Sequence, residues 1–225
     1  MMKRNNFPFS AVLGLNHAKT AILIVLVNPR AGGLLISGPR GIGKSTLMRS
    51  TQELIERPWR DIPVSVTEDR LFGTIDTEKA IYSGQKKLYP GIINEADQGV
   101  LYLDDANLLR EDLLDFILNI AEVGAYQLER DGLSLRCDTS FTVIAAINPE
   151  SGMLSGACLD QFGLFVNVDN IHDENTRVEI LKRTISFEKD CASFCKLWKL
   201  ENEKIKKAIH SAMSLLPKVV VSSAH

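Results

Sequence analysis

The thirteen residues 34–46, LLISGPRGIGKST, constrain this chain more than any others. A short apolar run (Leu34, Leu35, Ile36) leads into Gly38, Pro39, Arg40, Gly41, Ile42, Gly43, Lys44, Ser45 and Thr46. The spacing is G-x-x-x-x-G-K-[ST], the phosphate-binding loop, with strand-like residues before it and a helical pattern after it. The glycines let the backbone curl until its N–H groups face inward around an anion. Lys44 adds a point charge for the outer phosphates, and the Ser45 hydroxyl is of the type that ligates Mg²⁺. The helix that follows presents its positive end to the same anion. The strand and helix on either side set this stretch apart from a chance glycine-rich turn.

A loop of this kind needs a parallel sheet around it, and the length allows one. The chain has 225 residues, 45% hydrophobic and 24% charged, enough for one large domain or one domain with a small appendage. A net charge of −2 gives no basic surface for general nucleic-acid or membrane-surface binding. The longest apolar run, residues 21–27, is too short to span a bilayer and reads as a buried helix. The N-terminal MMKRNNFPFS has no apolar signal core behind its basic pair and no transit-peptide pattern, so a cytoplasmic location is expected, with a plastid left open. Cys137, Cys158, Cys191 and Cys195 form no C-x-x-C pair and read as reduced thiols. His17, His172, His210 and His225 lie in no metal-ligand spacing.

Taken in order, residues 7–14 read as an extended lead-in, because Pro8 keeps Phe7 from helical geometry. Residues 14–28 read as a helix ended by Asn28-Pro29, and residues 34–37 as a strand. A helix over 45–57 is expected to close at Pro58, and residues 62–66 form a short β-like run. Residues 67–99 are polar and glycine-rich and read as loops with a helical piece near 77–83. Residues 108–123 form an amphipathic helix stopped by Gly124. Asp131-Gly132 between alternating runs marks a hairpin with Leu128 opposite Leu135 and Gln127 opposite Arg136. Residues 152–163 read as loop and 164–168 as a fifth strand. Helices are expected at 174–187, 191–198 and 201–216.

Two strand ends supply the rest of the expected chemistry. Residues 100–105, VLYLDD, are an apolar strand of the kind buried on both faces of a parallel sheet. Asp104 at its C-terminal end falls where α/β sheets bind ligands and is the expected Mg²⁺ carboxylate; Asp105 beside it could polarise the attacking water. The alternative is acidic capping of the next helix. Residues 141–147 form another buried strand ending at Asn148-Pro149, where the Asn148 amide could hold a water near the γ-phosphate or serve as an ordinary turn residue.

These segments together resemble the small ATPase subunit of magnesium chelatase, within the AAA+ superfamily. The resemblance is carried by FPFSAVLG at 7–14, GGLLISGPRGIGKST at 32–46, EDRLFGTIDTEKAI at 68–81, PGIINEADQGVLYLDDANLL at 90–109, LERDGLSLR at 128–136 and AAINPESGML at 145–154. It implies an α/β, three-layer P-loop NTPase fold of AAA+ type, with a mostly parallel five-stranded sheet and a β-hairpin insertion. Residues 1–190 would form the nucleotide-binding domain, and residues 191–225 a helical segment leading to a lid expected to be absent or truncated. It further implies ATP and Mg²⁺ as ligands, with 38–46 cradling the nucleotide, Ser45 and Asp104 on the metal, Asp105 as base and Asn148 as the sensor of the γ-phosphate. The implied partners are further copies in a ring, a larger chelatase subunit with an integrin-like domain and, indirectly, a porphyrin-binding subunit. The implied task is driving Mg²⁺ insertion into protoporphyrin IX, for chlorophyll.

Three departures from the family pattern keep the activity open. Asp105 stands where the family has glutamate, one methylene longer. Gln161, in Leu159-Asp160-Gln161-Phe162-Gly163, stands where the family has the arginine that reaches a neighbour's nucleotide. A second sensor arginine, carried on the family's lid, has no counterpart here. Leu15 also replaces a usual glutamine. The chain therefore reads as an ATPase motor subunit, as a nucleotide-binding regulatory subunit with little hydrolysis, as a ring ATPase remodelling another client, or as a shortened copy.

Overall fold

The computed structural model describes residues 6–75, 88–130 and 133–219. Five strands make one sheet: β1 (Leu34–Ser37), β2 (Trp59–Ile62), β5 (Val100–Leu103), β8 (Thr142–Ile147) and β9 (Leu164–Asn167). Their order across the sheet is β2-β5-β8-β1-β9, and every neighbouring pair is parallel. Two antiparallel pairs lie outside it, β3 (Gly73–Ile75) with β4 (Leu88–Pro90) and β6 (Ala125–Arg130) with β7 (Leu133–Asp138). The helices are α1 (Asn16–Val27), α2 (Lys44–Thr51), α3 (Glu68–Phe72), α4 (Ile92–Glu95), α5 (Glu111–Val123), α6 (Gly156–Asp160), α7 (Glu174–Lys189) and α8 (Cys191–Leu215).

The three central strands are apolar along their length because both faces are covered. Alternate side chains serve alternate layers. Leu35, Leu101, Val143 and Ala145 pack with Leu113, Leu114 and Ile117 of α5 and with Tyr126 and Leu128 of the β6–β7 hairpin. Leu34, Ile36, Tyr102 and Ile144 pack with Ile22 and Leu26 of α1, Leu47 and Met48 of α2, and Ile209 of α8. The result is the expected three-layer sandwich. Each fully buried leucine or isoleucine contributes about 1.5–3 kcal/mol by leaving water.

The expected hairpin holds its register, with Leu128 opposite Leu135 and Gln127 opposite Arg136; Asp131 and Gly132 themselves lie outside the described residues. Gly124 ends α5 in left-handed geometry, φ 78°.

Other boundaries differ from expectation for local reasons. The strand expected at 62–66 is Trp59–Ile62, since Pro63 offers no N–H to continue the ladder. The helix expected to reach residue 57 ends at Thr51, where the Ser50 and Thr51 hydroxyls both donate back to the Leu47 carbonyl (2.6 and 2.9 Å) and the chain tightens into a 3₁₀ turn. The stretch 67–75 is not loop: Thr67 caps α3, which runs into β3. The helical piece expected near 77–83 lies outside the described residues. The loop expected at 152–163 contains α6, capped by Ser155. The two helices expected at 191–198 and 201–216 are one, α8, because no glycine or proline interrupts it.

The N-terminal segment is held between this helical pair and the sandwich. Asn202 of α8 accepts from the Ser10 N–H (2.9 Å), and Arg183 of α7 donates to the Ala11 carbonyl (3.0 Å). Phe7, Phe187 and Phe194 stack mutually with ring centroids 5.1–5.8 Å apart. The Arg183 guanidinium lies over the Trp198 ring at 4.6 Å. None of the four cysteines is in a disulfide. Among the described residues no helix is long and apolar enough to cross a membrane.

Candidate functional site

The site gathers at the C-terminal ends of β1, β8 and β5, the place where open parallel sheets bind ligands. Gly38 follows β1 and donates its N–H to the Ile147 carbonyl at the end of β8 (3.2 Å). It sits against the end of β9 so closely that a Cβ would lie 2.5 Å from the Val168 carbonyl oxygen. The loop then uses left-handed geometry at Gly41 (φ 82°) and Gly43 (φ 94°), and α2 starts at Lys44. This is the curled loop opening into a helix N-terminus that the spacing requires.

Lys44 is only 8% exposed. Its ammonium donates to the Gly38 carbonyl (2.6 Å) and the Pro39 carbonyl (2.8 Å), so the charge is held inside the loop. Burial lowers its pKa below the usual lysine range, and the charges of Asp105 and Asp104 partly restore it.

Ser45, at the first turn of α2, donates its hydroxyl to Asp104 (3.0 Å to Oδ2). Tyr102, two residues before Asp104 and so on the same face of β5, donates to Asp104 Oδ1 at 2.9 Å. Burial, then the Asp104 charge, push the Tyr102 phenol well above its ordinary pKa, which keeps it a proton donor. A serine hydroxyl and an oriented carboxylate in contact form a hard-oxygen donor pair that fits Mg²⁺.

Asp105 begins the turn beyond β5 in the left-handed region (φ 50°, ψ 48°), a conformation non-glycine residues seldom take. Its carboxylate lies 3.8 Å from the Arg40 guanidinium, across from the phosphate loop. Both groups are partly exposed, so the attraction is worth little by itself.

Asn148, at the end of β8, is 2% exposed. Its amide is engaged locally: Oδ1 accepts from the Glu150 N–H (3.2 Å) and Nδ2 donates to Ser151 Oγ (3.2 Å). The capping role that any Asn-Pro turn allows is therefore present in this structure. Gln161 lies at the C-terminal end of α6 and its amide reaches back to the Ala157 carbonyl (3.5 Å).

The structure thus brings Ser45, Lys44 and Asp104 together directly and sets Asp105 against the loop through Arg40. Two neighbours of the expected residues were not singled out from sequence. Tyr102 was legible from strand alternation. Asn107, which donates to the Asn148 and Gly152 carbonyls (3.2 and 3.0 Å), had no local signal because its partners lie some forty residues on. Leu15 follows Gly14 in left-handed geometry (φ 52°) at the rim of a cavity of about 1100 Å³ beside the loop. Gly41, Gly43 and Thr46 line one wall of that cavity, and Arg177 and Arg183 of α7 line another.

Comparison with known proteins agrees with this geometry. Residues 33–161 match the AAA domain (dynein-related subfamily). The chain is 34% identical to the magnesium-chelatase 38 kDa subunit of Chlorobaculum tepidum, over 97% of this chain and 66% of that protein. It is 33% identical to the magnesium-chelatase subunit ChlI homolog of Methanocaldococcus jannaschii, over 99% of this chain and 71% of that one. Among solved structures, a chain of the cryo-EM complex between the BchI and BchD subunits of magnesium chelatase superposes with a TM-score of 0.70 at 35% identity, covering 96% of this chain and 77% of its own. The sequence spans roughly two thirds to three quarters of the relatives it matches. The five-stranded parallel sheet, the phosphate loop and the carboxylate strand are those of an AAA ATPase, and the chain belongs to the magnesium-chelatase ChlI-type branch of that family.

Proposed function

We propose that this chain binds Mg·ATP at residues 38–46 and acts as the ATP-driven subunit of a magnesium-chelatase-like complex. The observation that carries the proposal is the contact between Ser45 and Asp104, made across β1 and β5, which are separated by β8. A chance glycine-rich turn would have no reason to meet a carboxylate from a distant strand.

In this reading the loop 38–46 cradles the phosphates, with the N–H groups of Arg40 to Thr46 facing them, since the Gly38 N–H is bonded to Ile147 and Pro39 has none. Lys44 exchanges its two carbonyl partners for phosphate oxygens, trading neutral acceptors for charged ones. Ser45 and Asp104 hold Mg²⁺, with Tyr102 fixing the carboxylate. Mg²⁺ when bound supplies charge neutralisation on the phosphates. Asp105 accepts the proton of the attacking water, and the Asn148 amide orients that water or the γ-phosphate. The cavity beside Leu15 and Thr46 takes the nucleoside. Partners of the complex are further copies in a ring, a larger subunit of BchD type and a porphyrin-binding subunit; the reaction served is Mg²⁺ insertion into protoporphyrin IX.

A second reading is favoured by two residues. Asp105 is shorter than glutamate and is paired with Arg40, and Gln161 brings no charge to a neighbour's site. A finger arginine is worth ~10³–10⁵ in rate, about 4–7 kcal/mol of barrier. With these two positions as they are, the chain would bind nucleotide and regulate assembly with slow turnover. Phosphate release by the purified chain, alone and mixed with an intact relative, separates the two. Turnover abolished by Lys44→Ala supports the motor; nucleotide binding with no turnover in either setting supports the regulator.

A further inference from the structure

We infer that Asn107 is a positioning residue that fastens the loop 148–152 to the carboxylate end of β5, so that Asn148 is held in register with Asp104 and Asp105; the inference rests on the reading of the site given above. The local path explains how it reaches. Left-handed Asp105 throws the chain out of β5 into a 3₁₀ turn at Ala106–Leu108, and that turn carries Asn107 across to the end of β8. There its Nδ2 donates to the carbonyls of Asn148 (3.2 Å) and Gly152 (3.0 Å), the two ends of one five-residue loop.

That loop's own bonds are internal. The Ser151 N–H donates to the Asn148 carbonyl (3.0 Å), the Gly152 N–H to the Pro149 carbonyl (3.3 Å), and the Asn148 amide bonds to Glu150 and Ser151. Internal bonds give the loop a shape, and β8 places its first residue. Asn107 ties both ends to the segment that carries the two carboxylates, which fixes the loop relative to Asp104 and Asp105. Its Oδ1 is buried with no hydrogen-bond partner. An orphaned buried acceptor is unfavourable, so the amide is held there by its donor half alone. An aspartate would be nearly the same shape but would set carboxylate oxygens against two carbonyl oxygens. The chain beyond Gly152 leads directly to α6 and Gln161, so the same clamp fixes where that helix begins.

The consequence is a separation of two properties. Grip on the α- and β-phosphates lies with the loop 38–46 and does not involve Asn107. Discrimination of a triphosphate from a diphosphate involves Asn148 and the β5 carboxylates, and does. The experiment uses the full chain as wild type, Asn107→Asp and Asn107→Ala. Affinities for Mg·ADP and for a non-hydrolysable ATP analogue with Mg²⁺ are measured by calorimetry, and amide hydrogen exchange of residues 150–152 is followed with and without nucleotide.

In both variants the preference for the triphosphate analogue over ADP is expected to fall roughly tenfold while ADP affinity stays within about twofold, the loss corresponding to two ordinary hydrogen bonds. Exchange at 150–152 should quicken even in the ligand-free chain. An unchanged preference, or affinities for both nucleotides falling in parallel with thermal stability, overturns the inference and leaves a merely structural asparagine. If the wild type bound neither nucleotide, the functional reading would fail by itself. The ligand-free exchange of 150–152 would still decide the clamp, and equal rates in wild type and Asn107→Ala would refute it. Asn107→Ala also covers the case in which Asn107→Asp does not fold.

Discussion

Two glycines of the phosphate loop, three residues apart, should respond to one added methyl group for different reasons. At Gly38 a Cβ would lie 2.5 Å from the Val168 carbonyl oxygen, 2.6 Å from Val168 Cγ2 and 2.8 Å from Ile42 Cδ1. Ordinary contact begins near 3.4 Å, so the methyl overlaps a backbone atom at the end of β9, which cannot turn aside as a side-chain tip can. At Gly41 nothing lies within 4 Å, and the only cost is a left-handed φ of 82°. Overpacking of the first kind costs about 1–3 kcal/mol, and a single left-handed alanine about 1–2 kcal/mol. In a chain of this size 1 kcal/mol shifts Tm by about 2–4 °C. Gly38→Ala is therefore expected to lower Tm by roughly 2–12 °C and to displace β1 from β9. Gly41→Ala should lower Tm by no more than about 8 °C and act chiefly on the loop. Scanning calorimetry gives the stabilities, and titration of the same samples with Mg·ATP gives the affinities. Nucleotide affinity should fall in both, but only Gly38→Ala should also weaken hydrogen-exchange protection of residues 164–167. If Gly41→Ala were the more destabilising, or if Gly38→Ala left β9 protection unchanged, the packing argument for the first glycine would be wrong.

Asp104→Asn keeps the shape of the metal donor and removes its charge, so Mg²⁺ should no longer strengthen ATP binding while Mg²⁺-free nucleotide affinity is retained; paired titrations with and without EDTA read this directly. Gln161→Arg should raise ATP turnover in concentrated, assembled samples, by up to the ~10³–10⁵ of a working finger, and leave dilute samples unchanged; equal rates at both concentrations would contradict a role at a neighbour's site. The N-caps of α7 and α8 set a pH dependence. Hydrogen bonds from Thr176 hold the Asp173 carboxyl below its ordinary pKa, and those from Ser193 do the same for Asp190. A depressed carboxyl contributes its stability above its unfolded pKa of about 3.9 and loses it as pH falls through the folded value. Protection factors of the first-turn amides of both helices, corrected for intrinsic exchange at each pH, should fall below about pH 4 and stay flat from pH 5 to 8; Asp173→Asn and Asp190→Asn should flatten the acid limb.

What the sequence disclosed follows from how local each signal is. The phosphate loop and the buried strands were legible because their chemistry is written in consecutive residues: the apolar strands at 34–37 and 100–103 lie where expected. The hairpin register was legible because an Asp-Gly turn fixes pairing by counting outward. Boundaries failed where hydroxyls or proline intervene, as at Thr51 and Pro63. The short helix α6 was missed because one serine cap and five residues leave almost no periodic pattern. α8 was cut in two because its apolar periodicity weakens near residues 199–201, although nothing there breaks a helix. In the site, Ser45 and Asp104 were expected to meet and do. The Arg40–Asp105 pair and the Asn107 clamp were not legible, since each joins separate elements and depends on an unusual backbone turn at Asp105.

Every role proposed for this chain depends on nucleotide binding by the loop around Lys44, with Mg²⁺ held by Ser45 and Asp104. Calorimetric titration of the full chain with ATP, in Mg²⁺ and in EDTA, tests it most directly, with Lys44→Ala as the paired sample. Saturable binding of one nucleotide per chain is expected, tightened by Mg²⁺, and lost or weakened by about two orders of magnitude in Lys44→Ala as charge-assisted phosphate contacts disappear. Absence of saturable binding by the folded wild-type chain, or equal affinity in Lys44→Ala, would contradict it.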